Sequence, residues 1–292
     1  IFWFRKDLRL DDNPALIEAT KHEKVIPLFI FDPSLKEYAK IGGASLWWLE
    51  RSLVSLNKQL SNKLRTLVGN SYDLIFNICE EKKIKFVYWN RCYEPDRIIA
   101  DTKIKSKLKD NNIKTKSFNS SLLWEPWNIK NKSGNFYKVF TPFYNRGCLE
   151  ADKPRNPLNS PKKNNYLKLE GKFRDYKFKY EESKNKWYAK FKKHWEPSEI
   201  NARSSFENFL ANGSGQYADG RNFPSKKNVS RISAYLHWGQ ISPFKLWHDA
   251  KNNIQGRSLK TFLSELGWRE FSYHLLYYFP DINKKNLKSK FN

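Results

Sequence analysis

A carboxylate, an indole and a guanidinium stand at i, i+3 and i+4 in the string Ser264-Glu265-Leu266-Gly267-Trp268-Arg269-Glu270-Phe271, so a helix would set Glu265, Trp268 and Arg269 side by side. An exposed ring can stack on a nucleobase while a neighbouring carboxyl hydrogen-bonds the base edge, the chemistry of a pocket that takes a base out of its helix. The same spacing equally suits an amphipathic helix with a core tryptophan and an outward i, i+4 ion pair. Upstream, Gly213-Ser214-Gly215-Gln216-Tyr217 sets small residues, which let backbone approach a ligand, before a ring whose hydroxyl can meet a phosphate or ribose. Val229-Ser230-Arg231-Ile232-Ser233 then precedes a helical stretch. Its N–H groups, two hydroxyls and guanidinium form an anion site in principle, or Ser230 simply caps the helix. His237 reads as a partly exposed helix residue, with no second ligand at metal spacing. Near the amino end, Arg5, Lys6, Asp7 and Arg9 follow an apolar strand, where open α/β sheets place ligands. An ion-pair network and a ligand site fit those charges equally well.

The elements that must hold these residues fall into two patterns. Ile1 to Phe4, Val25 to Phe31, Arg65 to Val68, Ile84 to Trp89 and Ile113 to Phe118 read as strands. Helical stretches alternate with them: Ala15 to Thr20 behind the Asn13-Pro14 start signal, the leucine-rich run after Gly42-Gly43, Tyr72 to Lys82 and Glu94 to Asp110. This alternation predicts a doubly wound parallel sheet over residues 1–125, without the G-x-G-x-x-G of dinucleotide binding. Tyr137 to Phe143 reads as a short aromatic strand or turn with a packing role. Residues 126–203 form a connector whose later part, from Asp152, is rich in proline and lysine. From 204 to 292 strand signals vanish, and Ser205 to Ala211, Ile232 to Leu236, Pro243 to Asn252 and Ser258 to Tyr278 predict an all-α domain.

Composition narrows the class. The 292 residues suffice for two domains, and aromatic residues make up 16% of them, with 11 Trp, so rings must build a core or a binding surface. Lys and Arg total 54 against 30 acidic residues, a net charge of +24, which favours a polyanionic partner, nucleic acid first. Cys79, Cys92 and Cys148 are odd in number and lack metal-ligand spacing, as expected of reduced cytosolic thiols. No run approaches the ~20 apolar residues that span a bilayer. The expectation is a soluble, cytoplasmic protein.

Two long strings, Phe2-Trp3-Phe4-Arg5-Lys6-Asp7-Leu8-Arg9-Leu10-Asp11-Asp12-Asn13-Pro14 and Gly215-Gln216-Tyr217-Ala218-Asp219-Gly220-Arg221-Asn222-Phe223-Pro224, resemble the photolyase/cryptochrome family of blue-light flavoproteins. Tyr137 to Phe143, Tyr235 to Pro243 and Ser264 to Phe271 follow in family order, so the resemblance spans nearly the whole chain. It implies an α/β amino-terminal domain, which in many members holds an antenna chromophore (folate or deazaflavin), then an all-α FAD-binding domain. Trp89 to Asp96 looks like the segment after the antenna-domain strand, but Asp96-Arg97 stands where folate-binding members carry Asn-Glu. The resemblance implies that Tyr217, Val229, Ser230, Arg231, Ile232 and Ser233 bind FAD, with Val229 where many relatives have threonine, and that Arg269 lies by the flavin. It implies too that Glu265 and Trp268 contact a pyrimidine dimer and that Arg221 approaches the DNA backbone.

Within the family the chain is most like bacterial-type, class I-like members that split cyclobutane pyrimidine dimers. The implied activity is light-driven repair of UV-damaged DNA by electron transfer from reduced FAD, with Glu265 hydrogen-bonding the dimer, Trp268 stacking on it and no protein nucleophile. A monomer is expected. Family members continue past the point where this sequence stops, so the chain reads as truncated at its carboxy end and as holding the front half of the flavin pocket. Two other readings are a cryptochrome-like photoreceptor that binds FAD without repair and a non-catalytic remnant.

Overall fold

The computed structural model describes residues 1–162, 164–179 and 187–287. Five parallel strands, β1 (Phe2–Phe4), β2 (Pro27–Phe31), β3 (Arg65–Val68), β4 (Phe86–Asn90) and β5 (Lys114–Phe118), lie in the order β3-β2-β1-β4-β5. The crossovers carry α1 (Pro14–Ala19), the short α2 (Lys36–Ala39), α3 (Gly43–Gln59), α4 (Ser71–Glu81) and α5 (Pro95–Asp110). Residue alternation along β1 sorts two cores. Phe2 and Phe4 join Leu16, Trp47 and Leu53 of α1 and α3, while Ile1 and Trp3 join Ile75, Ile78, Ile104 and Leu108 of α4 and α5. The expected start of α1 is present: Pro14 opens the helix and the Asn13 side chain accepts from the Leu16 amide at 3.2 Å.

The strand expected from Val25 begins instead at Pro27, because Val25 bridges Tyr166 of the connector rather than a sheet neighbour. The connector also completes the other side of that strand pair. Val68 donates to the Arg174 carbonyl at 3.0 Å and Tyr176 to that of Thr66 at 2.9 Å, so residues 174–176 cover the outer edge of β3. Tyr137 to Phe143 is neither strand nor simple turn. It leads into α6 (Phe140–Pro142), which passes into a π-helical turn, Phe143–Cys148, that packs on the last helix. After α7 (Ala189–Lys192) come α8 (Glu199–Asn212), α9 (Tyr217–Gly220), α10 (Ser233–His237), α11 (Pro243–Asn253) and α12 (Gly256–Tyr278). The boundary expected at 204 falls inside α8, which starts earlier because Ser198 caps it, accepting from the Asn201 amide at 3.0 Å. All three cysteines are buried and free. Among the described residues no helix is long and apolar enough to cross a membrane.

The sheet and the helices are joined by the charged string after β1. Arg9, 1% exposed, donates to the carbonyls of Asp11 (2.9 Å), Asp12 (2.8 Å), Ser120 (2.8 Å) and Gly239 (2.9 Å). The Leu8 amide donates to the Trp238 carbonyl at 3.1 Å, and Gly239, at φ +67°, lies so close that a Cβ there would sit 2.0 Å from the Lys6 carbonyl oxygen. Asp12 accepts from the Ser242 hydroxyl, and Glu199 accepts from the amides of Leu10 and Asp11 at 2.8 and 2.9 Å. At a second seam Glu270 of α12 accepts from the Trp124 amide at 3.1 Å, and Arg269 donates to the Ser121 carbonyl at 2.6 Å. Burial pushes the Glu270 carboxyl up to about 7, against the opposing pull of Arg269 and the backbone donors.

Replacing Arg9 by Ala would leave four inward carbonyls without their donor and remove a buried cation from among Asp7, Asp12 and Glu199, an expected loss of about 3–5 kcal/mol in urea unfolding. Arg9→Lys would recover little of it, since one ammonium cannot reach the same four acceptors. The raised Glu270 carboxyl keeps a proton that the unfolded chain releases above its ordinary value of 4.5. Its contribution is therefore full below that value and is lost as pH rises through about 7. Glu270→Gln, neutral throughout, is expected to gain on the unmodified protein by up to about 3 kcal/mol between roughly pH 5 and pH 8. Melting temperatures of the two proteins measured across that range check the sign. The neighbouring His274, lowered by burial to about 4, has the opposite slope but is common to both.

Candidate functional site

At the carboxyl ends of β1 and β4 the charged side chains satisfy one another. Arg5 pairs with Asp101 at 2.6 Å, Lys6 lies between Glu94 (2.6 Å) and Glu37 (3.1 Å), and Arg97 meets Glu37 at 2.8 Å. Against its burial, Lys6 and Arg97 hold the Glu94 carboxyl down at about 2. Of the two uses expected for this cluster, the geometry is that of a structural ion-pair network, tied through Arg9 to the helical half.

The helical half carries the more open arrangement. Tyr217, the first residue of α9, packs its ring edge-on against Phe209 (5.4 Å) and Phe262 (5.6 Å). Ser258 of α12 accepts from the Ala218 amide at 3.3 Å and donates to the Gly215 carbonyl at 3.0 Å, which fixes α9 on α12. The Tyr217 hydroxyl makes no hydrogen bond among the described residues. Arg221, closing α9, lays its guanidinium 5.5 Å from the Tyr217 ring centroid and pairs with Glu265 of α12. The buried Tyr217 ring thus backs a partly open Arg221–Glu265 pair.

Beside Glu265 on α12, Trp268 is 46% exposed. Its indole is neither in the core nor free on both faces: Phe140 stacks on it at 3.7 Å between centroids with planes 10° apart. The outward Glu265–Arg269 ion pair is absent, because Glu265 turns to Arg221. Arg269 leaves the helix on another side, bonded to Ser121 and Glu270 with its guanidinium over Tyr273. The helix therefore brings Glu265 and Trp268 together and separates Arg269 from them.

The glycine-rich stretch works differently from the expectation of an open approach to a ligand throughout. Gly213 and Gly220 admit the chain's own 227–228 segment: a Cβ at Gly220 would lie 2.5 Å from Asn228, and one at Gly213 would lie 3.0 Å from the Lys227 carbonyl. Only Gly215 faces open space. Beyond Asn228, the segment Val229 to Ser233 runs exposed or half-exposed except for the buried Ile232. Ser230 does not cap the helix. α10 begins at Ser233 after Ile232, with no side-chain cap. Among the described residues none of the amides of Val229, Ser230, Arg231, Ile232 and Ser233 donates a hydrogen bond, and the hydroxyls of Ser230 and Ser233 make none. Arg231, at φ +55°, rests its guanidinium 4.1 Å from the Trp195 ring centroid. His237 ends α10 edge-on to Trp238, and no group of three or more His, Cys, Asp or Glu able to hold a metal occurs among the described residues.

Sequence reasoning passed over two residues here. Phe140 is legible in the sequence only as packing, because its partner Trp268 lies far along the chain. Glu270 is the second: its spacing from Leu266 and His274 sets it on the buried face, where a carboxylate needs partners.

With this geometry in place, comparison with known proteins is direct. The family model for DNA photolyase matches residues 1–162. The deoxyribodipyrimidine photo-lyase of Agrobacterium fabrum is 36% identical over 300 residues, covering 100% of this chain and 62% of that protein. Cryptochrome-1 of Arabidopsis thaliana is 27% identical over 301 residues, covering 98% of this chain and 44% of that protein. A bacterial class III photolyase from Agrobacterium tumefaciens superposes with a TM-score of 0.90 at 33% identity, over 99% of this chain and 61% of that structure. The chain thus spans about three fifths or less of these relatives. A sheet of this strand order, its charged turn locked to a helical half that exposes a tryptophan beside a carboxylate, and a family model covering more than half of the residues agree: this chain belongs to the DNA photolyase family.

Proposed function

We propose that this chain forms the cofactor-facing and lesion-facing part of a light-driven DNA repair enzyme that acts on cyclobutane pyrimidine dimers. The observation that carries the reading is the half-exposed indole of Trp268 beside Glu265 on one helix, with the unbonded Tyr217 hydroxyl on the adjoining one. An extruded pyrimidine needs a flat apolar surface and an acceptor for its imino N–H, and these two side chains offer both. The basic balance of the chain supports a phosphate-rich partner. So does a crevice of about 640 Å³ beside the Phe140 segment, whose lining includes Lys130, Lys132 and Arg146.

The donor set of the 229–233 segment fits the diphosphate of FAD. Five unclaimed amides and two hydroxyls on an exposed stretch are what a dianionic bridge requires, and Arg231 adds a cation near by. FAD, when bound and reduced, supplies the electron that light drives into the dimer. The protein's own part is to hold and orient. Ser230, Ser233 and the backbone grip the phosphates, Tyr217 packs against the nucleotide, and Trp268 and Glu265 fix the dimer. Arg221 exchanges its carboxylate partner for a backbone phosphate as DNA arrives. Because the pair is half-exposed, that exchange is inexpensive. Arg269, the remaining residue assigned to the flavin's surroundings, is held in the seam by Ser121 and Glu270.

The test is binding and repair on an oligonucleotide with one thymine dimer. Blue light is expected to restore intact thymines when FAD is bound, and Trp268→Ala is expected to weaken dimer affinity by about 1–3 kcal/mol. Unchanged affinity in that variant would remove the proposed site. Bound flavin without restoration of thymines would favour a photoreceptor, the alternative that the cryptochrome relationship keeps in view.

A further inference from the structure

We propose that Phe140 is the positioning residue for Trp268: it covers one face of the indole and leaves a single face for a base, so that the site selects an extruded ring over a stacked one. The inference rests on the reading that Trp268 stacks on the lesion. Three rings stand in a nearly parallel column. Tyr144 and Phe140 are 5.5 Å apart with planes 9° apart, and Phe140 and Trp268 follow at 3.7 Å and 10°. The column is anchored at its inner end, where Tyr144 is 8% exposed and lies against Gly267. A Cβ at Gly267 would come within 2.5 Å of the Tyr144 ring, so the residue before Trp268 must be glycine for the column to close. The segment that carries Phe140 is itself fastened to α12: Tyr137 donates to His274 at 3.2 Å, and Phe143 packs on Phe271 and His274 at 5.1 and 4.8 Å.

Two consequences follow from this geometry. An indole on the surface of a helix samples several rotamers, and ordering it on binding costs affinity. Here the ordering is done in advance by Phe140, so contact with a base is made by a ring already in its plane. A tryptophan that works as a wedge between two stacked bases needs both faces free, as unstacking side chains do. With one face covered at van der Waals distance, Trp268 is unable to intercalate. It can receive only a base that has already left the stack, which is the state that a dimer reaches at lower cost than an intact pair.

The experiment compares affinities for a dimer-containing oligonucleotide and its undamaged twin, by fluorescence anisotropy, for the unmodified protein and four variants. Phe140→Ala and Phe140→Leu are expected to lose roughly 3- to 10-fold in the ratio of dimer to undamaged affinity. Phe140→Leu keeps an apolar side chain of similar bulk, so a shared loss reports the missing flat ring rather than a fold defect. Phe140→Tyr, which restores a flat ring, is expected to return the ratio to that of the unmodified protein. If both non-aromatic variants keep the ratio while Trp268→Ala loses it, the inference about Phe140 fails and the lesion site stands. If Trp268→Ala also keeps it, the lesion site itself fails and this inference with it.

Discussion

The structure depends on a guanidinium that has been taken out of water. Arg9 follows the first strand, yet the carbonyls it bonds come from its own turn, from Ser120 after the last strand and from Gly239 in the helical half. A cation so buried is stable only where every N–H finds an oxygen and counter-charges lie near, and here Asp7, Asp12 and Glu199 provide them. The demand runs both ways. The turn at Gly239 must approach the Lys6 carbonyl so closely that a side chain there is excluded, and α8 must begin at a glutamate that accepts two amides of the string. The placement of the helical half on the sheet is thus fixed by polar contacts of high sequence separation rather than by apolar area alone.

That placement decides what the site can be. Arg269, next to Trp268 in sequence, is held in the seam by Ser121 and Glu270, which orients α12 about its own axis. With α12 held in this orientation, Trp268 faces Phe140 and the open side, and Glu265 faces α9. A buried acid with a raised pKa is usually a candidate for proton chemistry. Glu270 instead sits at a seam with backbone and arginine partners, and its role in the fold accounts for it.

Much of this was legible in the residues because local chemistry and tertiary structure agree there. The strands and helices of the sheet half alternate as predicted, and Asn13-Pro14 caps where it should, since a parallel sheet with covered faces leaves long apolar runs. The family strings were legible because they combine residue types that chance seldom sets together. What escaped was set by partners far along the chain. The start of β2 moved because Val25 pairs with Tyr166, and the early start of α8, capped by Ser198, places Glu199 where it takes two backbone donors from the first turn. Ser230 does not cap because the helix is short and begins later. The Glu265–Arg269 spacing suggests an ion pair in any helix, and only the neighbours Arg221 and Ser121 show that each side chain has a better partner.

The stretch around residues 174–176, laid antiparallel along β3, changes what counts as a separable piece of this molecule. Its Tyr176 hydroxyl donates to Glu50 of α3 at 2.6 Å, and Asp175 pairs with Arg65 of β3 at 2.5 Å. A fragment ending near 125, where strand and helix alternation stops, would therefore carry a sheet with a bare outer edge and an acid on α3 stripped of its phenol. The α/β half is completed only by the tail that returns to hem it, through an isolated antiparallel bridge between Leu67 and Asp175 rather than through a further strand of the sheet.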